Sequence, residues 1–160
     1  FIDPVGTVCE QNHPSAEGHR YIADLILNSL PDANFPYTDV ATNSKEYKAI
    51  EYMFQNNVMK GASKKQFGYN SPLTNKQLAD AIYNASGETD ILDGSDKNTT
   101  YAELIKACMN MVNKNTDDTR KQLKAYILAM ELIKKKKCDL TRTVTKAEAA
   151  VILKDFIDIM

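Results

Sequence analysis

The chain has 160 residues, 43% of them hydrophobic, with 20 basic against 21 acidic side chains and a formal net charge of −1. That length suits one ordinary domain, or a small domain carrying a short added segment, and the balanced charge removes any global electrostatic case for nucleic acid. No apolar run approaches a membrane span, and Cys9, Cys108 and Cys138 fall at no metal-ligand spacing, so no membrane span, metal or cofactor is expected.

Glycine and proline sit mainly between stretches whose apolar residues recur every three or four positions, which predicts an all-α fold. Six helices are expected, over about 15–30, 44–57, 74–86, 99–114, 117–136 and 145–158. The first is amphipathic through Ile22, Leu25, Ile26 and Leu30, and "LPDANFPY" at 30–37 marks a boundary after it. Farther along, Leu78, Ala81, Ile82 and Ala85 share one face, Leu104, Ile105, Cys108 and Val112 a second, and Leu123, Ile127 and Met130 a third. Each is an expected core face, with Cys108 a buried small hydrophobe rather than a reactive thiol. The aspartates of "DILDGSD" at 90–96 lack EF-hand spacing and read as turn formers. The basic run Lys134 to Lys137 reads as a solvated helix end, although it stands one loop before the last helix and would widen any anion-binding surface there.

Three helices open alike, with "LTNKQLADAIYNA" from Leu73, "TTYAELIKACMNM" from Thr99 and "VTKAEAAVILKDF" from Val144. Each begins Thr-x-x-Glu/Gln, the capping box. Thr74, Thr100 or Thr145 accepts from an otherwise unpaired amide, while Gln77, Glu103 or Glu148 reaches back to the cap amide. Three copies in so short a chain indicate an internal repeat. The position after each Thr, held by Asn75, Tyr101 and Lys146, is the first helical residue. There a side chain lies beside exposed amides and the positive end of the helix dipole, a setting suited to a carboxylate or phosphate.

These motifs resemble the S-layer homology module, in which Thr-Arg-Ala-Glu starts a helix after a Gly-Ile-x-x-Gly region and an aromatic loop. Residues 37–87 look like one complete copy: Tyr37 and Asp39-Val40 match its opening Phe-x-Asp-Val, Val58-Met59-Lys60-Gly61 its glycine region, and Phe67 and Leu73-Thr74 follow in order. Only the second-helix half is visible at 99–114, and the last copy recovers both halves. The resemblance implies a helical repeat domain over 36–160, in units of about 36–87, 88–116 and 117–160, arranged as a pseudo-threefold prism with a degenerate middle repeat. It further implies noncovalent attachment of an exported bacterial protein to an acidic secondary cell-wall polysaccharide, held in grooves between the units. The motif arginine, implied to contact that ligand, is absent here. Lys146 alone keeps the charge, so Lys146 is the leading glycan-binding candidate and Asn75 and Tyr101 are weaker ones.

The front of the chain, "VCEQNHPSAEGHRYIADLILNSLP", is similar to the last block of SGNH (GDSL-type) hydrolases, where Asp-x-x-His-Pro precedes a Gly-His step and a closing helix. By that resemblance residues 1–31 are a hydrolase remnant, His13 stands at the general base, and Glu10 takes the place of the orienting Asp. No Gly-Asp-Ser-type nucleophile block occurs, so the chain by itself is expected to be inactive as an esterase. The expected parent is an exported SGNH-type hydrolase with a wall-binding module at its C-terminal end. A degenerate scaffold that stabilises or shapes the hydrolase, or a protein-interaction module without a sugar site, is the alternative.

Overall fold

A computed structural model describes residues 16–29, 34–135 and 139–160. It contains α1 (Ala16–Ser29), α2 (Tyr47–Gln55), α3 (Asn75–Ser86), α4 (Tyr101–Asn115), α5 (Thr119–Lys135) and α6 (Lys146–Ile157). All six expected helices are present, and the described residues hold no strand, only isolated bridges. The chain divides into two units, Phe1–Phe35, which contains α1, and Pro36–Met160.

In the second unit the three capping boxes form as the sequence requires. The Gln77, Glu103 and Glu148 amides donate to the hydroxyls of Thr74, Thr100 and Thr145 at 3.2, 3.3 and 3.3 Å. The return bonds, from the threonine amides to the Gln or Glu side chains, measure 3.1, 2.8 and 3.0 Å. Each box satisfies donors that the helix geometry leaves unpaired, and loss of such a cap typically costs about 1 kcal/mol.

What joins the three helices is a closed ring of backbone bonds between the residues before the caps. Leu73 N–H donates to Val144 C=O (3.1 Å), Val144 N–H to Thr99 C=O (3.0 Å), and Thr99 N–H to Leu73 C=O (2.8 Å). A second tier repeats the pattern at the first helical residues: the Asn75, Tyr101 and Lys146 amides donate to the carbonyls of Lys97, Arg142 and Ser71 at 2.9, 3.0 and 2.9 Å. A third tier ties the amides of Lys76, Ala102 and Ala147 to Ser95, Leu140 and Tyr69. Three isolated antiparallel bridges, Pro72 with Thr145, Thr74 with Asn98 and Thr100 with Thr143, belong to the same network. Leu73, Thr99 and Val144 are fully buried at its centre. The backbone therefore follows a threefold pattern, although the three helices differ in most side chains.

Around this ring α2 packs on α6, α5 on α4, and α4 on both α3 and α6. Ile50, Met53, Phe67, Leu78, Ile82, Leu104, Met111, Leu153 and Phe156 fill the core. Leu78, Ala81 and Ile82 on α3, and Leu104, Ile105, Cys108 and Val112 on α4, are buried as their spacing requires. Burial pushes the Cys108 thiol far above its usual pKa, so it remains a protonated packing group.

The third expected face is corrected. Leu123, Ile127 and Met130 are 56%, 49% and 48% exposed, while the same helix buries Ala125 and Ala129. Small residues let α5 approach α4 closely, and the larger apolar side chains are left on the opposite face.

Because each bond of the ring holds a different unit, the ring should open only when the whole domain unfolds. In native-state hydrogen exchange the Leu73, Thr99 and Val144 amides are expected to share one protection value equal to the global stability. A much faster amide among the three would show that the units come apart separately.

Candidate functional site

The backbone pattern brings each first helical residue onto the segment of a neighbouring unit, creating three equivalent positions with three different occupants. Asn75, Tyr101 and Lys146 are all buried there. Asn75 accepts from the Thr99 hydroxyl at 2.8 Å and donates its side-chain amide to Asp93 at 3.1 Å. Tyr101 lies under the Arg142 guanidinium, 4.9 Å from its ring centroid, and Arg142 forms a two-pronged pair with Glu148 (2.8 and 3.2 Å). Both side chains are thus engaged by the protein itself.

Lys146 differs. Its Nζ lies 4.8 Å from the centroid of the Phe67 ring and donates to the Lys60 carbonyl, and it makes no ion pair among the described residues. Desolvation lowers its pKa, with the Asp39 carboxylate opposing that shift. It borders a cleft of about 250 Å³ lined also by Val58, Met59, Lys60, Gly61, Gln77, Asp80, Ala81 and Asn84. Two lysines thus face one carboxylate. The corresponding cleft at Asn75 is lined by Asp93, Glu103 and Lys106, and Glu103 is already paired with Lys97 at 3.0 Å. Bonds from the Ser95 amide and the Asn75 side chain hold Asp93 below its usual pKa, so this cleft keeps its negative charge. The first cleft is therefore the better placed of the two for an anion.

The walls of the Lys146 cleft depend on the segment before α3. The Asp39 carboxylate accepts from the amides of Phe67, Gly68 and Tyr69 at 2.7, 2.8 and 3.0 Å, bending that segment under Lys146. Tyr37 packs edge-on against Phe54 (5.6 Å) and tilted against Phe67 (5.5 Å), and its hydroxyl accepts from the Gly61 amide at 2.9 Å. At Gly61 a Cβ would lie 2.4 Å from the Tyr37 ring and 2.7 Å from the Gln66 carbonyl, so only glycine permits this approach. Gly68, at φ +83°, makes the turn that aims its amide at Asp39.

Sequence reasoning identified Lys146 but assigned no binding role to Lys60, Asp80 or Asn84. These residues lie some 60 to 90 positions before Lys146 in the chain, and only the threefold closure brings them beside it. Of the expected capping residues, Gln77 also lines the cleft. His13 and Glu10 lie outside the described residues, as do Lys136, Lys137 and Cys138. Among the described residues no helix is long and apolar enough to cross a membrane, and no cluster of potential metal ligands occurs.

Residues 36–79 match the sequence model of the S-layer homology domain. The match covers Tyr37, Asp39, the Lys60-Gly61 wall, Phe67 and the Thr74 cap, and it associates this segment with attachment at the cell surface. No curated protein and no solved structure matches the chain.

Burial alone would raise the Asp39 pKa, but the Tyr69, Phe67 and Gly68 amides outweigh it and hold the carboxyl below its usual 3.8. The stabilisation is therefore complete above that value and is lost as pH falls through the lower, folded-state pKa. Asp39→Asn turns a donor toward amides that need acceptors, so it is expected to destabilise the protein at pH 7. That difference should shrink as pH falls well below 3.8 in urea denaturation. A difference independent of pH would show that the carboxylate charge is not what holds the segment.

Proposed function

We propose that residues 36–160 form an S-layer homology-type repeat domain that attaches its protein to a bacterial cell surface by binding an acidic secondary cell-wall polysaccharide at the Lys146 cleft. The observation that carries this reading is a buried ammonium without an ion pair, bordering a cleft whose other wall comes from the segment matched by the family model. A buried ammonium without a direct ion pair is costly, Asp39 offsets only part of that cost, and an anionic sugar substituent entering the cleft would lower it further while Lys60 supplies a second positive charge. Val58, Met59 and Ala81 beside the polar Gln77 and Asn84 make the cleft amphipathic, as a sugar ring requires. Asn75 and Tyr101 serve as internal braces, which leaves one anion-binding cleft among the described residues.

Under this reading residues 1–31 are the closing block of an SGNH-type hydrolase, with His13 as its general base and Glu10 orienting it, and α1 as its last helix. The nucleophile and oxyanion donors would belong to a longer parent protein, and the module would hold that enzyme at the wall. The engagement of Asn75 by Asp93 and of Tyr101 by Arg142 favours a second reading, a scaffold that supports the hydrolase and binds no glycan.

Cosedimentation of the chain with Gram-positive wall sacculi, before and after removal of the secondary polymer, separates the two. Binding is expected only to sacculi that retain the polymer, and Lys146→Ala should weaken it by about tenfold or more, the scale of one lost charge-assisted contact. Unweakened binding by the variant would remove Lys146 from the site, and absence of binding to polymer-bearing walls would leave the scaffold.

A further inference from the structure

Asp80 on α3 borders two clefts at once. On one side of it Gln77 and Asn84 line the Lys146 cleft, and on the other Tyr83 lines a second cleft of about 230 Å³. Tyr83 and Asn84 follow Asp80 by three and four positions, so all three crowd one patch of the helix surface and the clefts share a rim. Tyr83 is 57% exposed, the highest value among the large apolar side chains described. Neither its hydroxyl nor the Asp80 carboxylate makes a hydrogen bond or ion pair among the described residues. The facing wall is the segment after α3, where Lys114 on α4 pairs with Glu88 at 3.6 Å and donates to the Thr89 carbonyl at 3.0 Å. That wall is thus pinned to a second helix, and the cleft is preformed.

We propose that the Tyr83 cleft is a second glycan subsite, in which an uncharged sugar of the bound polymer stacks on the Tyr83 ring. The proposal rests on the reading of the Lys146 cleft as the seat of the acidic sugar. One face of a sugar ring is a patch of C–H groups, and a tyrosine offers it a flat π-face with a polar edge. The hydroxyls at the sugar's rim are donors, and the cleft supplies the Asp80 and Asp90 carboxylates as acceptors, with no cation among its lining side chains. No group of potential metal ligands occurs among the described residues, so these carboxylates do not converge on a point. They suit hydroxyls spread around a ring rather than one metal ion, and they repel a second acidic sugar. The polymer is thereby held in one register, its charged unit at Lys146 and its uncharged neighbour at Tyr83. The covalent link between the two sugars makes the second contact intramolecular, so a modest stacking interaction adds fully to the first.

NMR titrations of the full chain with size-fractionated oligosaccharides of the purified secondary wall polymer, from the single acidic sugar upward, test this. Shifts of the Tyr83 ring protons are expected with the longer fragments and not with the single sugar. Tyr83→Ala should weaken the longer fragments by about tenfold more than it weakens the single sugar, whereas Lys146→Ala should weaken every length. Tyr83→Phe, which keeps the ring, should recover most of the loss. Longer fragments that bind Tyr83→Ala as tightly as the unmodified chain, or an equal loss at every length, would overturn the second subsite and leave the Lys146 reading standing. Fragments that fail to bind at any length, or that bind Lys146→Ala unweakened, would overturn the attachment reading and this subsite with it.

Discussion

Three backbone hydrogen bonds, from Leu73 to Val144, Val144 to Thr99 and Thr99 to Leu73, are the constraint on which the second unit depends. They lie at the buried centre of the domain, where an unpaired amide would be costly, and each donor's partner comes from a different repeat. Closing the ring fixes where each capped helix begins. The capping boxes then fix the directions in which the helices leave, and the apolar faces of α3, α4 and α6 converge below. The two outer tiers of bonds repeat the arrangement on segments with unrelated sequences, so the threefold order belongs to the backbone first.

The same closure accounts for the site. Every first helical residue is delivered to the wall of a neighbouring unit, and the identity of the two side chains that meet decides what the position does. Asparagine meets Asp93, and the pair is satisfied internally. Tyrosine meets Arg142, whose charge is already taken by Glu148. Lysine meets the Phe67 ring and the Lys60 carbonyl and makes no ion pair among the described residues, and so it borders its cleft with its charge only partly offset, by Asp39. One frame thereby yields two structural braces and one candidate binding position. The Tyr37 anchor holds Gly61 at the wall of that cleft, and the Asp39 anchor holds the Phe67 ring under the Lys146 ammonium.

Much of this was legible in the sequence because it is local. The six helices follow from three-and-four periodicity, and the caps at Thr74, Thr100 and Thr145 from a four-residue pattern. Lys146 was singled out because it alone, of the three first helical residues, keeps the charge of the arginine that the S-layer homology resemblance implies there. The ring itself was not legible, since the residues preceding the caps carry no side-chain signal for pairing with segments 26 to 71 positions away. Lys60, Asp80 and Asn84 were missed as cleft residues for the same reason. The error on α5 has a different origin. Periodicity identifies an apolar stripe and takes the larger residues as the core, whereas α5 is placed by the alanines that allow it to approach α4. Leu123, Ile127 and Met130 remain one face of the helix, about half exposed.

The proposed attachment rests on asymmetry within a symmetric frame: among the described residues, one cleft borders a cation that makes no ion pair, one holds Asp93 bonded to Asn75 and Glu103 paired with Lys97, and at the third position Arg142 lies over Tyr101 and pairs with Glu148. The most direct test is an NMR titration of the full chain with a short acidic fragment of the secondary wall polymer. The account predicts saturation at one fragment per α6 Lys146 cleft, with shifts at Lys60, Gly61, Gln77 and Lys146. The signals of Asn75, Asp93 and Arg142 should stay in place. Equal shifts around Asp93 or Arg142, or saturation with the Lys146 signals unmoved, would contradict it.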